Sequence, residues 1–416
     1  MAWAGALPTF SIMTTTSLAP PAAPARLGPI DRASRSLGPD LARGFLLLFI
    51  ALANVWGYLY GRPTSFGFRP ADGAVLDRVV DGLTAFLVDD RSRPMFAILY
   101  GFGLAAMASR MGQRGLDAKG VRRVLRRRSI GLIALGLLHS ALLFSGDILA
   151  VYGATGLIGL ALVERSATAL RRWFAWSFVT STAVMVALGY LGSLEDVEVE
   201  PAATYLVGAG ERVVGTALMA GGSALTLLFV PQVVVGIAIH RAGWLRRPWE
   251  HRRTLGRVAA WAAVANLVLN LPWALAVARL WSPGQVVQVA LFAAHEISGF
   301  AMGLGYVCIF AWLAARWRDQ PRGPVLTGAA AVGERSLTCY LLQSVLFAPL
   351  LSEWGLGWGQ WLGTAAAAGL AVGVWLATVL VALALHRAGR RGPFEVVLRR
   401  WTYRKAYRRP AAPQGS

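Results

Sequence analysis

Apolar residues run along the chain in ten long blocks, at about 42–60, 94–110, 129–145, 148–163, 173–192, 213–240, 258–280, 287–315, 329–351 and 361–386, with short polar stretches between them. Each block is long enough for a bilayer-spanning helix, which needs roughly 20 residues and tolerates a few fewer. The pattern predicts an all-α, polytopic integral membrane protein, with about ten transmembrane helices in one bundle over residues 37–386. The stretch from Val79 to Asp90 is too short and too acidic to cross and reads as an interfacial or re-entrant piece. Residues 1–36, rich in Ala, Pro, Ser and Thr, lack a basic segment ahead of an apolar core and read as a disordered tail rather than a signal peptide. Met13 is an alternative start, and residues 387–416 read as a basic cytoplasmic tail. No internal repeat is evident.

Composition supports this reading. Hydrophobic residues make up 56% of the 416 and charged residues 15%, whereas a soluble domain carries about 25% charged residues. The net charge of +20 could suggest nucleic acid. A nucleic-acid surface, however, needs its basic residues on one folded face, and here they punctuate apolar blocks, so no nucleic-acid partner is expected. Lys119 and Lys405 are the lysines among 41 basic residues, a bias that reads as genomic base composition. Cys308 and Cys339 both lie within apolar blocks, which leaves no disulfide framework and no thiolate metal site; no metal is expected.

Arginine placement sets the expected orientation, because short cytoplasmic loops retain positive charge. The loop 110–128 holds eight basic residues, and every second loop after it is basic: Arg165, Arg171 and Arg172, then the run from Arg241 to Arg257, then Arg316, Arg318 and Arg322. The loop with Glu195, Asp196, Glu198, Glu200 and Glu211 falls on the other side, and in 61–93 five arginines are balanced by five aspartates. Both termini are therefore expected in the cytoplasm.

Ionisable groups inside spans are costly and mark candidate sites. His139 lies in the third block, eight residues before Asp147. It reads either as a packed histidine or as a general base for an incoming hydroxyl or amine. Asp147 reads as a helix N-cap or as the group that orients His139. Asn54, Gln343 and the pair His295-Glu296 lie at similar depth, as interhelical hydrogen-bonding groups or as parts of a polar cavity. At the inner side, Asp40 and Arg43 begin the first helix while Glu334 and Arg335 begin the ninth. The acids suit helix N-termini, and either arginine could meet a phosphate. The run from Arg122 to Arg128 reads mainly as topology signal and lipid contact. Motifs of soluble enzymes are missing: the chain has no phosphate-binding glycine loop, no His-Glu-x-x-His and no Gly-x-Ser-x-Gly. Gly101-Phe102-Gly103 fits close helix packing.

A set of short motifs occurs in order from about 37 to 403. It runs from Pro39-Asp40-Leu41-Ala42-Arg43-Gly44 with Asn54, through Phe96 to Gly103, Arg127-Arg128, Gly136, His139 and Gly146-Asp147-Ile148-Leu149 with Tyr152, to His295 through Tyr306. Gly333-Glu334-Arg335-Ser336-Leu337-Thr338 with Tyr340 and Gln343-Ser344 follows, and the set ends on Gly392-Pro393-Phe394-Glu395 through Trp401-Thr402-Tyr403. This set resembles the YeiB-like family of bacterial membrane proteins, which is in turn similar to the transmembrane acyltransferase superfamily. That resemblance implies ten or eleven spans in the bacterial plasma membrane, cytosolic acyl-CoA as co-substrate, and a small-molecule or glycan acceptor at or across the lipid bilayer. One departure is clear. Many polysaccharide acyltransferases place a histidine where Arg43 is here followed, after ten intervening residues, by Asn54, so His139 or His295 would have to substitute.

The expected function is therefore transfer of an acyl group from acyl-CoA, with His139 as base, Asp147 orienting it, Asn54 or Gln343 donating to the oxyanion, and Arg43 and Arg335 holding the CoA phosphates. The alternative is a transporter or exporter of a small molecule or lipid-linked substrate, in which the same groups, with His295 and Glu296, bind substrate or relay protons. Thiol labelling checks the topology. Glu198→Cys should react with an impermeant reagent from outside, and Glu250→Cys only after permeabilisation.

Overall fold

The computed structural model describes residues 37–67, 69–192, 204–317 and 323–403. The expected N-terminal tail, the acids from Glu195 to Glu200, Arg318, Arg322 and the tail beyond Tyr403 lie outside these residues.

The fold is an all-α bundle. Helix α1 (Leu37–Asn54) runs into a 3-10 turn, Val55–Tyr58, and a two-residue antiparallel pairing of Thr64–Ser65 with Arg69–Pro70 follows. Then come α2 (Val75–Leu87), α3 (Ser92–Gln113), α4 (Ala118–Leu142), α5 (Leu149–Leu162), α6 (Ala167–Gly192) and α7 (Tyr205–Leu225). The remainder is α8 (Val230–Ala242), α9 (Arg252–Val277), α10 (Gln285–Arg316), α11 (Pro324–Glu334), α12 (Ser336–Leu351), α13 (Thr364–Arg387) and α14 (Pro393–Tyr403).

Every apolar block coincides with helix, but not every block is a span. Among the described residues, six helices are long and apolar enough to cross a membrane: Leu37–Tyr58, Val75–Gln113 with α2 and α3 taken together, Ala167–Leu191, Pro248–Val277, Gln285–Arg316 and Thr364–Arg387. The block at 213–240 is broken, because α7 and α8 meet at a bend of 64°, and the count becomes seven if the pair forms one span. At the break Leu227 adopts a left-handed φ of 58° and Pro231 supplies no N–H, so the α7 hydrogen-bond ladder cannot continue. The block at 148–163 yields 14-residue α5, about 21 Å long at 1.5 Å per residue. The block at 329–351 divides at Arg335 into α11 and α12, and the first half of α4 is rich in arginine. The expected ten crossings thus become six or seven by length and composition.

Glycines set the closest helix contacts. A Cβ on Gly101 of α3 would lie 2.3 Å from the Val233 carbonyl oxygen of α8, and one on Gly236 of α8 would lie 2.1 Å from the Ile98 oxygen of α3. Helices α1 and α11 meet in the same reciprocal way, through Gly44 against Ala329 and Gly333 against Asp40. Small residues allow backbones to approach where lipid supplies no hydrophobic drive between helices, so Gly101-Phe102-Gly103 is indeed a packing element.

The charge-balanced stretch 61–93 is paired internally. Arg69 meets Asp81 at 3.3 Å and Asp89 at 2.5 Å, stacks over Trp56, and shares Asp81 with Arg279; Arg62 meets Asp72 at 3.6 Å. Helix α2 buries Asp81, Thr84 and Ala85 and exposes Val75, Leu76, Val79 and Leu83 on its opposite face. That amphipathic form is what the short, acidic 79–90 stretch allowed.

Gly236→Val should lower the melting temperature in detergent sharply, since overpacking costs about 1–3 kcal/mol and the obstruction here is backbone. Gly221→Ala, where nothing lies within 4 Å of the added carbon, should leave it unchanged.

Candidate functional site

The last turns of α4 carry His139, and the connection after Leu142 returns Asp147 onto it. One carboxylate does two things. Asp147 Oδ1 accepts from the Ala150 N–H at 2.9 Å, capping the first turn of α5, and Oδ2 lies 2.7 Å from His139 Nδ1. Capping and orienting are therefore compatible. Gly136, one turn before His139, makes room for both, because a Cβ there would fall 2.3 Å from Asp147 Oδ1 and 2.4 Å from the Ala150 nitrogen. The Ser140 hydroxyl and Thr216 on α7 lie 2.6 Å apart, and Arg212 donates to the Ser140 and Ala141 carbonyls, so α7 holds the end of α4 in place.

Both His139 and Asp147 are buried. A carboxylate at Nδ1 fixes that nitrogen as the donor and leaves Nε2 with the lone pair. Nε2 has no hydrogen-bond partner among the described residues. The arrangement is that of a general base. The Tyr340 ring of α12 stands 5.3 Å from the imidazole, and its hydroxyl accepts from the Ile148 N–H at 3.4 Å.

Beside this pair lies a cavity of about 670 Å³, within the range of small-molecule sites. Its lining includes Arg110, Arg114, Arg128, Arg335, Arg391 and Arg399, with Glu334 and Glu395, and also apolar and aromatic side chains such as Phe96, Leu149, Tyr152 and Tyr340. Tyr340, whose ring stands beside His139, thus lines the cavity, as does Leu149, two residues after Asp147. Helix α14 closes one side. Glu395 Oε1 accepts from the Leu337 and Thr338 N–H groups at 2.8 and 3.1 Å, placing a negative charge at the N-terminus of α12. Trp401 donates to the Arg127 carbonyl at 2.9 Å.

The remaining candidates separate from this pair. Arg335 lines the cavity, yet it is buried and committed: Nε and Nη2 donate to the Arg390 carbonyl, and Nη1 to Ala331 and Glu334. It joins the α11–α12 break to the segment before α14. Arg43 lies outside the cavity lining, 3.5 Å from Asp40 and against Gly103. Gln343 donates to the Leu47 carbonyl at 3.0 Å, an interhelical tie between α12 and α1. Asn54 ends α1 and is half-buried, and no hydrogen bond joins it to His139.

His295 and Glu296 belong to a second polar centre, built around the turn between α2 and α3. Arg91 in that turn is fully buried; it donates from Nε and Nη2 to Asn266 and from Nη2 to Ser298. His295 contacts Asn270 and Asp90, and Glu296 pairs with Arg93 at 3.1 Å. Asp90, Arg91, Asn266 and Asn270 did not stand out in the sequence. Asn266 and Asn270, four apart in an apolar block, carried a usable signal; Asp90 and Arg91 were hidden in a balanced charged stretch.

Similarity to known proteins extends over nearly the whole chain. The chain is 28% identical to "Uncharacterized protein YeiB" of Escherichia coli (strain K12), over 89% of this chain and 97% of that protein. Residues 239–405 match the family described as "Protein of unknown function (DUF418)". The chain is similar to YeiB along nearly its whole length. A second relative, "Uncharacterized protein YxaH" of Bacillus subtilis (strain 168), is 24% identical over 88% of this chain and 93% of its own length. The DUF418 match takes in α9 to α14, and so includes the Asn266–Asn270–His295 group and the Glu395 contact of this YeiB-like chain.

Glu395→Ala should release α14, because it removes the acceptor for two N–H groups at the start of α12. Limited trypsinolysis should then cut between Arg387 and Arg400 several-fold faster than in the wild type, while the cleavage pattern of α3 and α4 stays the same.

Proposed function

We propose that this YeiB-like chain is a membrane acyltransferase that takes its acyl group from cytosolic acyl-CoA. The observation that carries the reading is that Tyr340, beside His139, and Leu149, two residues after Asp147, line an arginine-rich cavity next to a buried His–Asp pair with an unused Nε2. In this scheme the phosphates lie among Arg110, Arg128 and Arg399, since guanidinium offers a planar fork of donors and stays charged near the bilayer. The acyl chain points toward the aromatic side chains of the lining. An acceptor hydroxyl attacks the thioester carbonyl and gives its proton to His139 Nε2. CoA leaves as the thiolate and takes that proton back, while Asp147 holds the imidazole throughout.

Arg335 acts here as a brace, and Asn54 has no assigned step. The arginine-rich loops support a reading in which the cavity mouth and both termini face the cytoplasm from the bacterial plasma membrane. A second reading, transport, is favoured by the break between α7 and α8, because interrupted helices line substrate sites in many transporters.

CoA should raise the Tm of the purified protein, since a ligand stabilises the state it binds. Arg128→Gln should shrink that shift, whereas Arg43→Gln, outside the lining, should keep it. With labelled acyl-CoA, His139→Ala and Asp147→Asn should each abolish transfer, and the double variant should be no worse than the worse single one. No CoA-dependent shift in the wild type would favour transport.

A further inference from the structure

The hydrogen bonds around His295 constrain where protons sit. Asn270 Nδ2 donates to the Ala85 and Phe86 carbonyls at 3.1 and 3.4 Å, which fixes the amide and turns its Oδ1 toward His295 Nδ1 at 2.7 Å. An amide oxygen only accepts, so Nδ1 carries hydrogen. The other ring nitrogen, Nε2, lies 2.9 Å from Asp90 Oδ2. A neutral imidazole protonated at Nδ1 presents a lone pair at Nε2, and a lone pair facing a carboxylate at this distance is repulsive. A second proton therefore lies between them, on Nε2 or on Asp90.

We infer that Asp90 and His295 form a site for one exchangeable proton, which holds the α2–α3 turn onto α10. This does not depend on acyl transfer. The surroundings make the site closed and charged on several sides. Arg91 Nη1, itself only a donor, stands off from Nδ1 at 3.4 Å against the 2.7 Å of the Asn270 contact, Arg93 pairs with the other Asp90 oxygen, and Glu296 meets Arg93. Asp89 is engaged by Arg69. From α9 come the neutral Asn266 and Asn270 and the Trp273 ring, stacked on His295 with centroids 4.5 Å apart. Tyr306 of α10 donates to the Leu87 carbonyl at 2.8 Å. His295 is 1% exposed, while the Asp90 side chain, 24% exposed, leaves the proton a route to solvent.

The turn is poised to respond. Asp90 has a left-handed φ of 56°, and its carbonyl oxygen lies where a Cβ on Gly299 would stand, 2.4 Å away. Three residues on, the Arg93 carbonyl accepts from the Tyr152 hydroxyl at 2.7 Å, and Tyr152 forms part of the cavity wall. Loss of the proton would set the Nε2 lone pair against the Asp90 carboxylate and loosen the turn, and that loosening reaches the cavity through Arg93 and Tyr152.

The test is nitrogen NMR on the full-length protein labelled at its five histidines, with infrared detection of protonated carboxyl groups. The resonances missing in His295→Gln identify this ring. At pH 7 the wild type should show either both ring nitrogens of His295 protonated, or Nδ1 alone together with a carboxylic-acid band that disappears in Asp90→Asn. In Asp90→Asn, an amide N–H can donate to Nε2, so His295 should report a single N–H, at Nδ1, from pH 5 to 9. A wild-type ring with Nε2 bare and no carboxylic-acid band from pH 5 to 9 would overturn the inference. So would an Asp90→Asn protein in which His295 still carries both protons.

Discussion

The bundle depends on placing a charged, non-helical turn inside an apolar protein. Residues 88–91 break the helical ladder in the interior, and each polar backbone group exposed there needs a partner, because an unsatisfied one costs several kcal/mol in a lipid-like environment. Helices α9 and α10 supply partners for the carbonyls of Ala85, Phe86 and Leu87, just before the break, through Asn270, Asn266 and Tyr306. Arg91 returns the favour by filling the acceptors of Asn266 and Ser298 and donating to the Asp89 carbonyl. A buried guanidinium with several donors engaged is tolerated where an unpaired one is not.

From that turn the rest of the architecture follows. Helix α3 leaves it along α8, with Gly101 and Gly236 letting the two backbones touch. The Arg93 carbonyl anchors Tyr152 of α5, whose ring stacks on Phe96 at 4.3 Å. Helix α5 in turn is seated by Asp147, the carboxylate that also orients His139. The two polar centres are distinct in residues but are linked where Tyr152 of α5 donates to the Arg93 carbonyl of α3. A change at one has a short mechanical path to the other.

The arginine-rich end is organised differently. Arg335 and Glu395 spend their hydrogen bonds on the break between α11 and α12, and on fastening α14 across it. With those two groups serving the scaffold, the cavity's electrostatic character comes from the arginines of α3, α4 and α14 and the segment before α14. Such a chamber suits an anionic ligand with an apolar end.

Class and element positions were legible in sequence, because lipid-length apolar blocks and arginine placement are local properties that any window of the chain displays. The His139–Asp147 pairing was legible too: eight residues and one tight connection leave few ways to fold. The break at Leu227 and the division at Arg335 were not, since both depend on where neighbouring helices offer partners for interrupted backbone. Nor could the sequence tell Arg335, buried in carbonyls, from Arg128, facing a cavity; the same side chain has either fate depending on what packs around it. Asp90 and His295 lie 205 residues apart, and only the packing of α9 and α10 around one turn brings them within 2.9 Å. Long-range polar pairing of this kind is decided by tertiary structure, because its energy exists only once water has been excluded from both partners.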